Sequence, residues 1–90
     1  MLYPFMTLND NTEIVHSEMK EDGTVDVVIE TPDERYGFKH AKCTLPGYEW
    51  KDVYKYSDKE IAFFEDIISR AAHLIIKFSQ EGGLLHATTV

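Results

Sequence analysis

From Ser57 to Glu81 the apolar residues return in alternating steps of three and four: Ile61, Phe64, Ile68, Ala71, Ile75 and Phe78. At about 100° per residue this spacing stacks them along one side of a helix. Ile67 and Leu74 widen that side, while Glu65, Asp66, Ser69, Arg70, His73, Lys77 and Gln80 fill the other half. Ser57, with Glu60 three residues on, is a capping-box pattern, and Gly82-Gly83 supplies a left-handed stop. An arc this wide predicts a helix lying across a sheet, with surface left over for a second copy.

The first half of the chain changes period. Thr24 to Thr31 alternates strictly, Val25, Val27 and Ile29 on one side against Asp26, Val28 and Glu30 on the other, which predicts a half-buried strand. Thr12 to Met19 is its hairpin partner across Glu21-Asp22-Gly23. In that partner two faces compete, because Val15 and Met19 oppose Ile14. If Val15 and Met19 turn inward, His16 and Glu18 look outward. Pro32-Asp33-Glu34 predicts the next turn, and Tyr36 to Leu45 a third strand with Ala41, Cys43 and Leu45 inward. Pro46-Gly47 breaks it. Tyr48 to Tyr56 reads as a connector with strand character. Leu2 to Leu8 is an apolar arm ending at the turn signal Asn9-Asp10-Asn11, either an edge strand, a cover over the core or a docking segment. Leu84 to Val90 is a last strand or a tail. The expected fold is α+β: an antiparallel meander of three to four strands with one long amphipathic helix across one face, in a single domain spanning 1–90.

Charge narrows the choice of partner. Sixteen acids against nine Lys and Arg give a net charge of −7, so direct nucleic-acid binding is not expected and a basic protein fits better. The acidic surplus concentrates in residues 1–35, and residues 36–56 are mildly basic. Glu18, Asp26 and Glu30, placed on the outer face of the hairpin, are the expected partner-binding carboxylates. A solvated acidic face is the plain alternative, since acid-base catalysis requires a carboxylate with a raised pKa. With one cysteine, Cys43, no internal disulfide forms, and a cytoplasmic location is expected. The opening residues lack a signal-peptide pattern.

Tyr48, Trp50 and Tyr54, interleaved with Lys51 and Lys55 and followed by Tyr56, are the other candidate surface. Three readings stay open there: core cover, a protein interface anchored by Tyr and Trp, or a stacking platform for single-stranded nucleic acid. The four histidines, His16, His40, His73 and His86, form no close-spaced ligand pair. On adjacent-but-one strands His16 and His40 stand about 9–10 Å apart, too far for one zinc with ligands at about 2 Å. Lys42 and Cys43 point to opposite faces of a strand, so Cys43 reads as a small core residue rather than an activated nucleophile. No cofactor, metal or catalytic constellation is expected, and the chain reads as non-enzymatic.

The segment from Thr44 to Glu81 resembles the small HicB-type antitoxin domain. The shared features are Leu45-Pro46-Gly47 closing a strand, the capped acidic start Ser57-Asp58-Lys59-Glu60-Ile61, and a helix containing Ala71-Ala72. The connector after Gly47 is longer than that pattern has. The opening, Tyr3-Pro4-Phe5-Met6 and Thr12 to Glu18, resembles a group of short uncharacterised bacterial proteins. The resemblance implies a bacterial interaction module that neutralises a basic, toxin-like protein, and the wide apolar arc of the helix adds the expectation of a homodimer. A small domain for a ligand, RNA or metal is the alternative.

Overall fold

The computed structural model describes residues 1–81. Five strands run in chain order, β1 (Leu2–Thr7), β2 (Glu13–Ser17), β3 (Val25–Asp33), β4 (Gly37–Leu45) and β5 (Glu49–Tyr54), followed by α1 (Asp58–Gln80). Each strand pairs antiparallel with the next, so the sheet order is the chain order. The expected three to four strands are therefore five. The apolar arm is edge strand β1 and the aromatic connector is edge strand β5. Strand β3 also runs on through Pro32 and Asp33, which pair with Phe38 and Gly37, so the turn sits at residues 34–36 rather than at Pro32-Asp33-Glu34.

Three of the four strand-to-strand connections use the same device. In each, an aspartate accepts a hydrogen bond from the backbone N–H two residues on, the local turn that Asp forms against its own chain. Asp10 takes Thr12 N at 3.1 Å, Asp22 takes Thr24 N at 3.0 Å, and Asp33 takes Arg35 N at 2.8 Å and Tyr36 N at 3.0 Å. Gly23 and Gly37, at φ 83° and 84°, supply the left-handed geometry that closes two of these turns. The fourth connection follows Pro46, whose peptide bond with Leu45 is cis.

One face of the sheet is covered by the helix. Ile14, Val25, Val27, Ile29, Ala41, Cys43 and Leu45 are buried there, and Phe64, Ile68 and Ile75 of α1 bury onto them. The inward sets expected on β3 and β4 are the ones observed. On β2 the competition resolves toward Ile14. His16 comes with it and is 1% exposed, while Val15 turns to the outer face. His16 is therefore a core residue. The helix begins as its sequence predicts: the Ser57 hydroxyl accepts from Glu60 N, and the Glu60 carboxylate accepts from Ser57 N. Leu74, counted with the apolar arc, is 40% exposed, and Ser79 is buried in a position the periodicity did not mark.

Buried polar contacts hold α1 near both ends. Just before its start, the Tyr56 hydroxyl lies 2.7 Å from Thr31 Oγ1, itself 2.6 Å from Thr12 Oγ1. Near its end, Ser79 Oγ lies 2.9 Å from His16 Nδ1 and 2.8 Å from the carbonyls of Ser17 and Ile75, while Ser79 O accepts from Met19 N. Buried polar groups without partners cost about 1–3 kcal/mol each, so these contacts penalise sliding of the helix along an otherwise apolar face. The Gly82-Gly83 stop and the expectation for Leu84 to Val90 lie outside the described residues.

Candidate protein-interaction surface

The six residues expected at an interface do not share one face. Trp50 lies opposite Cys43 on the helix side of the sheet, half-buried, and its Nε1 donates to Glu65 Oε1 of α1 at 2.8 Å. Tyr48, at φ 54°, lines a shallow depression of about 320 Å³ with Ala62, Glu65, Asp66 and Ser69. Tyr56 is in the core. Tyr54 pairs with His40 across β4 and β5, and its ring meets Phe38 at 5.6 Å. Lys55 Nζ stands 4.6 Å from the Tyr36 ring and 5.6 Å from the Tyr54 ring. Trp50 and Tyr54, four residues apart, would share a face of a regular strand; the register break opposite His40 and Lys42, with Asp52 at φ 55°, sends them to opposite sides.

Asp26 and Glu30 do share the outer face of β3, each with a cationic partner or an imidazole. Asp26 pairs with Lys20 Nζ at 2.6 Å and accepts from the Thr44 hydroxyl at 3.1 Å. Burial alone would raise its carboxyl, and these hydrogen bonds outweigh that and hold it below the usual carboxylate range. Glu30 lies 3.1 Å from His40 Nδ1. Between them Val15 and Val28 floor a depression of about 310 Å³, walled by Glu13 and Glu30 on one side and His40 and Lys42 on the other. Glu18 sits beyond the end of β2, accepting from the Tyr3 hydroxyl at 3.1 Å and contacting the N-terminal ammonium at 3.4 Å.

A third surface combines apolar area with carboxylates in one place. The end of β1, the Asn9-Asp10 turn and the first turns of α1 enclose an open groove of about 480 Å³, lined by Met6, Leu8, Asp10, Glu60, Phe63 and Phe64. Phe64 is 5% exposed and seals the core against Tyr56, with ring centroids 5.0 Å apart. Phe63 beside it is 57% exposed, its ring 5.7 Å from Phe64, and Met6 is 38% exposed. Asp10 and Glu60 are both held below their usual carboxyl range, Asp10 first by its bond to Thr12 and Glu60 first by the Ser57 N–H. Glu60 Oε2 also takes Lys39 Nζ at 3.1 Å. The sequence carried a signal for this site: Phe63 falls outside the apolar repeat of the helix, so its ring had no core position to fill.

No protein-family model, curated protein or solved structure matches this chain. His16 and Ser79 have the imidazole-hydroxyl contact of a base and nucleophile. At 1% and 2% exposure, however, no substrate carbonyl reaches them. His16 and His40 lie on opposite faces of the sheet, and among the described residues no three His, Cys, Asp or Glu side chains gather as a metal site. Cys43 is fully buried, and that burial, with Glu65 adding a smaller repulsion, pushes its thiol up to about 12. Among the described residues no helix is long and apolar enough to cross a membrane.

Proposed function

We propose that this chain is a non-enzymatic protein-interaction module that binds a basic protein partner. The observation carrying the reading is the groove at the start of α1, where Phe63 and Met6 stand exposed beside Asp10 and Glu60 on a chain of net charge −7. Large apolar side chains held at the surface are the usual anchors of a protein interface. Carboxylates around them favour a cationic partner and speed its encounter. Neutralisation of a toxin-like basic protein, the role implied by the HicB-type resemblance, is the specific form of this proposal, and self-association into a dimer belongs to it.

The test is a tagged capture from the native host at low and high salt, followed by native mass spectrometry and repetition with Phe63→Ser. A single stoichiometric basic protein, released at high salt and weakened by the substitution, supports the proposal. Recovery of the chain alone at both salt concentrations overturns it.

A further inference from the structure

We infer that the groove between the end of β1 and the first turns of α1 docks a peptide segment carrying one large apolar side chain flanked by Lys or Arg. This rests on the interaction reading above and gives it a place and a ligand chemistry. The floor is apolar and fixed, since Phe64 is locked in the core by Tyr56 and Leu8 packs against the same cluster. Its volume of about 480 Å³ falls within the range of about 300–1,000 Å³ typical of clefts that hold a small ligand. That is room for one or two side chains rather than a whole domain face.

The rim sets the charge of the occupant. The Asp10 turn and the capping box hold both carboxylates in place before any partner arrives, which lowers the ordering cost of binding. Asp10 makes no ion pair within 4 Å among the described residues and feels Lys39 only at longer range, while Glu60 already holds Ser57 N and Lys39 directly. A flanking cation therefore pairs first with Asp10. A second copy is the poorer occupant of this groove, since its acidic rim is not complemented by a chain of net charge −7. Strand addition beside the groove is also opposed, since edge strand β1 carries Pro4 and a register break between Pro4 and Met6.

The experiment is an amide NMR titration of the full chain with a six-residue peptide, Lys-Lys-Phe-Leu-Lys-Lys, capped at both ends. Two control peptides replace the central pair by Ala-Ala or the four lysines by glutamates. Saturable shifts are expected at Leu8, Asp10 and Phe63 with the first peptide and not with the controls. Phe63→Ser is expected to weaken binding about tenfold, as loss of an interface anchor does, and Asp10→Asn to reduce it while flattening its salt dependence. Both positions are exposed, so unchanged Trp50 emission verifies the fold of each variant. Equal binding of the Ala-Ala peptide, or shifts centred on Glu18, Asp26 and Glu30 instead, overturns the assignment. If the host protein is captured equally well by Phe63→Ser, the groove assignment falls while the broader interaction reading stands.

Discussion

Ile68 and Leu74 belong to the same apolar arc of α1, yet Ile68 is 1% exposed and Leu74 is 40% exposed. Truncating each to alanine therefore separates a helix set by its own periodicity from one set by its docking on the sheet. Ile68→Ala removes three carbons, about 2.4 kcal/mol at roughly 0.8 kcal/mol per buried methylene. The cavity left in the buried core cluster to which Ile68 belongs brings the cost to about 3–4 kcal/mol. Leu74→Ala loses partial burial and leaves no enclosed void, about 1 kcal/mol or less. For a domain of this size each kcal/mol moves Tm by about 4–8 °C, so the two variants separate by at least about 8 °C. Urea unfolding read from Trp50 emission measures both, since Trp50 is the only tryptophan and bonds across to α1. Should Ile68→Ala fail to fold, Ile68→Val, at about 0.5–1.5 kcal/mol, keeps the comparison measurable. Equal costs at positions 68 and 74 would refute the helix orientation described above.

Loss of the helix cap gives a second check: Ser57→Ala is expected to cost about 1 kcal/mol, read as a lowered urea midpoint at unchanged m. Cys43, with its thiol pushed up to about 12, is expected to resist iodoacetamide at pH 8 in the folded protein and to react on unfolding; rapid alkylation of native protein refutes its burial. Asp10, Asp22, Asp26, Asp33 and Glu60 all lie below their ordinary carboxyl values in the folded chain. A depressed folded pKa means stability is fully present above the unfolded value of about 4 and is lost as pH falls through the folded value. Urea midpoints are therefore expected to hold from pH 7 to 5 and to fall steadily below pH 4. A midpoint unchanged at pH 3 refutes those turn and cap bonds.

The two ends of the sheet differ in how they meet solvent, and that bears on how the molecule avoids uncontrolled pairing. Strand β1 has no charged residue, but Pro4 and the adjoining register break interrupt it. Strand β5 carries Lys51 and Asp52, with Asp52 at φ 55° and a register break on the neighbouring strand between His40 and Lys42. Proline, charge and bulges are the usual means of blunting an exposed edge.

By itself the sequence determined every element whose local pattern is unambiguous. The spacing from Ile61 to Phe78, with Ser57 and Glu60, sets the helix and its cap, because capping and 3.6-residue periodicity are local. Strict alternation sets the inward faces of Val25-Val27-Ile29 and Ala41-Cys43-Leu45 in the same way. Only the tertiary structure decided what local pattern leaves degenerate. Ile14 and Val15 are equally apolar, and the tie resolves toward Ile14 because His16 then meets Ser79 at the end of α1, a contact between residues 63 apart in sequence. Residues 2–7 and 49–54 carried strand character in sequence with other readings left open, and pairing with a neighbouring edge decided them as strands. Trp50 and Tyr54 were divided by the register break in β5 at Asp52 rather than by its pleat, and the groove of Met6, Asp10 and Phe63 exists only where the first strand and the helix start come together. Periodicity fixes which side chains share a face; docking fixes what that face meets.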